Sequence, residues 1–361
     1  MKEETMKKLR KAFVLMLAFA TVMSFTACGG GGGGEESADA GEVNIYMWSE
    51  YMSEAFVDKF EEETGITVNF SYMNSSEEAV AKITAGGGDE YDLVMPCDAD
   101  MTSLIEGGYL EEIDTASMEN FQYLDDAYKG RSFDPDTKYA IPYFMNYVYV
   151  VYNPETCPKE ITRYEDLLDP AFEGQITSVD GIRNLFPIAL VALGYDPNST
   201  NDAEIEEAYG WLQKYMKNVK YLNSDDAEKE LVSGGCSVGF VFDGMFGRAL
   251  EDNPDLEVAP LKDAVQLGVD EFVIPKGAKN KENAEKFLNF MLDPENMAEN
   301  IMDGHAYTCP NSAAIELCDD SYKLAKNINI PKEIKENYFL QLDVGDAMKT
   351  YDKFYTRLKS E

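Results

Sequence analysis

Residues able to do chemistry are unevenly spread along this 361-residue chain. Cys28 closes the stretch Phe25-Thr26-Ala27-Cys28, with small residues directly ahead of the thiol. Lys7, Lys8, Arg10 and Lys11 precede an apolar run over 13–23 that is too short and wrongly flanked for a spanning helix. In bacteria that pattern is cut before the cysteine, which then carries acyl chains. Two further groups, Trp48-Ser49-Glu50-Tyr51 and Cys97-Asp98, each follow a strand-like run. Open α/β sheets bind ligands at such strand ends. Catalytic machinery is harder to find. His305 is the only histidine and lies in Asp303-Gly304-His305-Ala306, with no nucleophile motif beside it. No CxxC occurs, so a cysteine–histidine metal site has no support. No pair among the 67 acids stands out as an acid–base couple.

The elements that must position these groups are legible over the first half. Residues 43–47 read as a strand. Ser53 caps a helix with Met52, Phe56 and Phe60 on one face, ended by Gly65. Residues 66–70 alternate as a half-buried strand, and Ser75-x-x-Glu78 opens a helix that stops at Gly86-Gly87-Gly88. Residues 91–95 form the next strand, ended by Pro96. This βαβαβ rhythm predicts an open, mostly parallel sheet covered by helices. Residues 139–152 are almost wholly apolar or aromatic and suit a passage between two lobes. Beyond them, a strand is expected over 175–179, a helix over 184–193 and an amphipathic helix over 204–217. Ala208, Trp211, Leu212 and Tyr215 share a face of the last. Another strand follows over 238–242, and no internal repeat is seen.

Composition narrows the class. Removing residues 1–27 leaves 334, enough for two domains. A hydrophobic fraction of 45% excludes disorder for the body of the chain. Residues 28–42 carry Cys28, an unbroken glycine run over 29–34 and a polar stretch, a flexible leash between membrane and folded body. The formal charge is −36, and −39 once the leader's five basic and two acidic residues are gone. So negative a surface disfavours nucleic acid and favours cations. Besides Cys28 there are Cys97, Cys157, Cys236, Cys309 and Cys318, an odd number that cannot all pair; they read as small apolar residues or free thiols.

In sequence order, Ile45-Tyr46-Met47-Trp48-Ser49-Glu50-Tyr51, Glu63-Thr64-Gly65-Ile66 and Tyr91-Asp92-Leu93-Val94-Met95-Pro96 are followed by Phe133-Asp134-Pro135 and Ile141-Pro142-Tyr143. Leu193-Gly194-Tyr195, Ile274-Pro275-Lys276-Gly277, Tyr307-Thr308-Cys309-Pro310-Asn311 and Asp343-Val344-Gly345 complete the series. In order and spacing this resembles the spermidine/putrescine-binding proteins of bacterial polyamine ABC transporters, over nearly the whole body. The resemblance implies an α/β, two-lobed fold like that of periplasmic binding proteins, with chain crossovers between lobes. One lobe would be 43–147 plus 268–314, the other 148–267 plus 315–361. It implies a monomeric, non-enzymatic binding component without cofactor, lipid-anchored outside the cytoplasm, that captures a polyamine and serves a permease with its ATPase.

A polyamine is an apolar chain carrying ammoniums, so its site needs aromatic faces and spaced carboxylates. By the resemblance Trp48, Tyr51 and Tyr307 are aromatic walls, Asp270 a central carboxylate and Gln341 an end acceptor. Phe242 replaces a tryptophan and Cys97 a serine. Ala99 and Gly268 stand where the family has a tyrosine and a tryptophan. Of the two acids usual in Asp180-Gly181-Ile182-Arg183-Asn184, only Asp180 remains. Met145-Asn146-Tyr147 departs from Trp-Gly-Thr. Asp98, Asp243 and Tyr147 lie beside the altered positions and are positioned to compensate. A different amine-bearing solute or a surface-anchored hydrolase are the alternatives. A cell-surface adhesion protein fits the leash but not the two-lobe rhythm.

Overall fold

The structure, a computed structural model, describes residues 40–49, 51–73, 75–303 and 307–360. The leader, Cys28 and the glycine run fall outside the described residues, as do Glu50 and His305. Ten strands make one sheet: β1 Glu42–Trp48, β2 Thr67–Met73, β3 Leu93–Val94, β4 Ala140–Tyr152 and β5 Ile176–Ser178, then β6 Val219–Leu222, β7 Val238–Phe242, β8 Glu257–Val258, β9 Val265–Val273 and β10 Tyr338–Leu340. Their order is β2-β1-β3-β9-β4-β7-β5-β6, with β10 beside β9 and β8 beside β4.

The wings are parallel, as the βαβαβ rhythm predicts, but the centre is not. β1 pairs in parallel with β2 and β3, and β5 with β6 and β7. Between them β9 and β4 run antiparallel to each other, and β4 antiparallel to β7. The expectation of a mostly parallel sheet therefore holds only for the wings. It rested on the first wing, where helical crossovers return each strand in the same sense. β4 runs out of that wing into the other and β9 runs back, so the two meet head to tail.

Two hydrophobic cores share this sheet, one per lobe of an α/β fold. The first gathers Ile45, Phe56, Phe60, Leu93, Tyr143, Phe144, Phe272 and Phe287, and takes in Cys318. The second gathers Tyr147, Val150, Phe186, Trp211, Phe240, Leu267 and Tyr351. β4 changes core between Phe144 and Met145, and β9 between Val269 and Phe272. Both strands are buried on both faces, which explains their unbroken apolar reading.

Local signals carry over where capping chemistry sets them. Ser53 accepts from the Phe56 amide at 3.0 Å and opens the helix Glu54–Thr64, which Gly65 ends at φ 71°. Phe56 and Phe60 pack edge-on against Phe287 and Phe290. Met52 lies before the cap and only half-buried. The helix expected over 204–217 spans Asp202–Tyr215 with its four marked residues buried. The strand expected over 91–95 shrinks to Leu93–Val94. Asp92 and Met95 still donate backbone bonds to β1, and the Asp92 carboxylate also accepts from the amides of Asn44 and Asn280, both at 2.8 Å. None of the five described cysteines is in a disulfide. No described helix is long and apolar enough to cross a membrane.

Ser53→Ala removes the cap hydroxyl while keeping the backbone bond from its amide to Asn300. The expected loss is about 1 kcal/mol, read as a lower urea midpoint at unchanged slope.

Candidate functional site

Carboxylates and aromatic rings converge where the two cores meet. Asp270 lies on β9 opposite Phe144, just past a register shift between Pro142 and Phe144. Proline offers no amide to the ladder, and an extra residue there re-aims the side chains beyond it. Asp270 is buried and accepts from Asn146 Nδ2 at 2.5 Å, Tyr51 Oη at 3.2 Å and Cys97 Sγ at 3.4 Å. No lysine or arginine pairs with it among the described residues. Burial pushes its carboxyl up, and the donors from Cys97, Asn146 and Tyr51 oppose that push.

The rings close around this carboxylate. Tyr51 lies 5.0 Å from Tyr307 and 5.4 Å from Phe144, centre to centre, and Tyr307 stacks on Phe144 at 5.6 Å. Tyr143 donates to the Tyr51 carbonyl and receives from Asn300 Nδ2 at 2.7 Å, which fixes the turn after β1. Trp48 ends β1. Its indole nitrogen is buried without a hydrogen-bond partner, yet lies near enough to Asp270 to favour the charged form.

Behind Asp270 sits a second buried charge group. Successive strand residues face opposite ways, so Glu271 points away from Asp270. Arg131 reaches it at 3.3 Å and Asp98 at 3.1 Å. Asp98 opens the helix Asp98–Glu106 and is 2% exposed, and Glu271 is fully buried. One guanidinium thus serves two carboxylates, with Asp270 beside them. Burial outweighs Arg131 and raises Asp98 to about 7 and Glu271 to about 8. Buried charge without compensation is costly, so this region holds a deficit of positive charge.

β9 supplies a floor. Gln266, Gly268 and Asp270 share one face of the strand. A Cβ placed on Gly268 would meet only the Asn146 carbonyl, at 3.8 Å. The tryptophan expected there is replaced by open space. Asp243, fully buried, begins the helix Asp243–Asp252 after β7. Its Oδ1 accepts from the Gly244 amide at 2.9 Å and its Oδ2 has no partner. Gly244 lies flat beneath Tyr307: an added Cβ would sit 2.5 Å from that ring. Of seven buried side-chain polar atoms without a partner among the described residues, five belong to Trp48, Arg183, Asp243, Gln266 and Glu271. Natural folds rarely leave such atoms unpaired; of these, the Trp48 indole and the Gln266 side chain lie by Asp270 and on its face of β9.

The structure gathers Trp48, Tyr51, Cys97, Asp270 and Tyr307, with Gly244, the residue after Asp243, packed against the Tyr307 ring. Phe242 is half-buried on β7 opposite Val148. Asp180 and Gln341 stand apart from this group. Asp180 accepts from Lys359 Nζ at 2.8 Å, from Tyr355 Oη and from its neighbour's amide, so both oxygens are engaged. Gln341 donates to the Arg183 carbonyl at 2.8 Å. Asn184 links this second group to the floor, receiving from Gln266 Nε2 at 2.9 Å. Sequence reasoning missed Asn146, Arg131 and Glu271 as partners. Asn146 had a signal, as the one amide in an otherwise apolar and aromatic strand. Arg131 had none.

A profile of the bacterial extracellular solute-binding proteins matches residues 55–331. The spermidine/putrescine-binding periplasmic protein of Escherichia coli K12 is 32% identical over 92% of this chain and 97% of its own length. The putrescine/cadaverine-binding protein of Pseudomonas aeruginosa is 27% identical over 83% of this chain and 86% of its own. The crystal structure of the Streptococcus pneumoniae spermidine/putrescine ABC transporter substrate-binding protein superposes with a TM-score of 0.77 at 28% identity, covering 88% and 98%. Fold and site together define a solute-binding protein of the two-lobed kind. The chain belongs to the bacterial extracellular solute-binding proteins, the capture components of importers.

The raised carboxyls dictate a pH dependence. In the unfolded chain they titrate near 4, so the folded protein holds protons that the unfolded one has lost. Their stabilising contribution is full at about pH 4 and falls away as pH rises through about 8. The ligand-free protein should melt higher at pH 6 than at pH 8.5, and Asp98→Asn should flatten the slope. Melting scans across that window check it, and a higher melting temperature at pH 8.5 contradicts it.

Proposed function

We propose that this chain captures polyamines of the spermidine/putrescine class between its two lobes and delivers them to the permease and ATPase of an ABC importer. The observation that carries the reading is Asp270: a buried carboxylate with three donors, no cationic partner among the described residues and a cage of aromatic rings. An ammonium supplies the missing charge, and the adjoining methylenes lie on Tyr51, Tyr307 and Trp48. The names of the relatives point to the same ligand class.

The protein acts as a monomeric binding protein rather than a catalyst, as befits a family whose members capture solutes for transport. Trp48, Tyr51 and Tyr307 pack on the first core and Phe242 on the second, so binding draws the lobes together and shifts the population toward a closed form. Cys28 carries the lipid, which holds the folded body outside the cytoplasm on its glycine leash, within reach of the permease. Two acyl chains give stable attachment where one gives only reversible binding.

Asp270→Asn should weaken polyamine binding by about one to two decades, the equivalent of losing a charge-assisted contact of roughly 1.5–3 kcal/mol. Titration calorimetry against putrescine, spermidine, sugars and amino acids checks it; heat only with a non-amine solute would overturn the ligand class. Cys28→Ala should leave the precursor uncut or release the protein to the medium. A variant that still partitions with membrane lipid as the wild type does would refute the anchor.

A further inference from the structure

Tyr307 is anchored in one lobe and lands on the other. Its carbonyl accepts from Tyr322 Oη at 2.6 Å, and its ring packs on Phe144 and Tyr51. Phe144 belongs to the first core, and Tyr51 and Tyr322 pack against it. The hydroxyl end of the ring, however, meets the helix Asp243–Asp252, whose Met245, Phe246 and Ala249 belong to the second core. A Cβ on Gly244 would stand 2.5 Å from Tyr307 Cε1, 2.6 Å from Cζ and 2.9 Å from Oη. Non-bonded carbons keep about 3.5 Å or more apart, so only glycine leaves room for this ring.

Nothing else at position 244 asks for glycine. Its φ is not in the positive region that bars side chains. It lies within a helix, where alanine is the better former. The missing side chain therefore serves the contact with Tyr307.

Arg248 completes that contact. It lies four residues on, so it shares a helix face with Gly244. Glu228, buried between Ala227 and Leu231 of the second core, accepts from Arg248 Nε at 3.0 Å and pairs with Nη2 at 3.0 Å. The guanidinium held this way stands by the Tyr307 hydroxyl. Burial pulls the guanidinium down, but Glu228 and then Tyr307 outweigh burial and raise it. Burial and then Asp243 drive the phenol up to about 12, against Arg248.

We propose that Gly244 and Arg248 form the seat on which Tyr307 lands when the lobes close, and that Arg248 is a positioning residue acting on the solute through that ring. This rests on the reading of an amine gripped between two lobes and adds the contact that sets the closed form. When the first lobe swings away, Tyr307 leaves the helix and Arg248 keeps only Glu228. On closure the hydroxyl meets Arg248, and the ring is held 5.0 Å from Tyr51, which donates to Asp270. The wall beside the central carboxylate is thus fixed from both lobes only in the closed form.

Titration calorimetry of the mature chain with putrescine and spermidine tests it. Gly244→Ala should weaken the tighter-binding amine about fivefold or more, the low end of what overpacking a filled contact costs. Arg248→Met should weaken it about threefold or more, and Arg248→Lys should lose less than Arg248→Met. Tyr307→Leu keeps an apolar side chain but not the end of the ring that meets Gly244. In that background Gly244→Ala should cost less than about twofold, as should Arg248→Met in Tyr307→Phe, because the partner group is already gone. An undiminished affinity in Gly244→Ala overturns the inference and leaves the amine-binding function standing. So does an equal loss with and without the end of the Tyr307 ring, which would mark packing within the second lobe alone. If Arg248→Met leaves Glu228 unpaired and does not fold, the Gly244 pair decides. No heat with either amine in the wild type defeats the underlying reading, and the inference with it.

Discussion

The rest of the molecule depends on an electrostatic imbalance that the fold creates and does not resolve. Asp98, Asp270 and Glu271 are buried around one guanidinium, Arg131. Water solvates such carboxylates well and a protein interior does so poorly, which is why burial drives two of them toward neutrality. A purely structural core would replace the group with apolar residues, since buried ion pairs are seldom net stabilising. Retaining it makes sense when an outside cation completes the charge balance. The stability forgone in the empty protein then becomes affinity for a positive solute, and the aromatic cage restricts that solute to one whose charge sits on an apolar chain.

The sheet explains why the imbalance falls where it does. β4 and β9 are the two strands that pass between the cores, and each changes core within a few residues of Asp270. A side chain at that crossing is covered by one lobe on its own account and by the other only through their mutual approach. The register shift at Pro142 adds the local bend that turns Asp270 toward Tyr51, and Gly268 keeps the same face clear two residues on. Hence Trp48, Asn146 and Asp270 are held on strands while Tyr51 and Tyr307 lie in the connections beside them, and relative movement of the lobes remains free to open and close the site.

Legibility in the sequence followed the range of the interaction. Ser53, Gly65 and the 238–242 strand were readable because capping and alternation act over a few residues. The strand ends bearing Trp48, Tyr51 and Cys97 were readable for the same reason. The antiparallel centre was not, because β9 pairs with a strand more than a hundred residues earlier and its apolar run states no direction. Site partners split along the same line. Residue types matched through family resemblance found Asp270 and Tyr307, but a residue type does not reveal who else claims its charge. Asp180 carries the expected carboxylate, yet a lysine 179 positions away holds it. Arg131 shows the converse, an ordinary surface-looking arginine that is, among the described residues, the cation inside the acidic group.

These competing claims on charge turn a shared fold into a particular specificity. The lobes, the crossing strands and the central carboxylate determine that a cation binds. What each remaining acid adds depends on whether it is free for a solute or satisfied from within, as Asp180 is by Lys359. A carboxylate that faces the solute without a partner adds to its binding. One that is already paired adds nothing until its partner is displaced, at the expense of an existing bond.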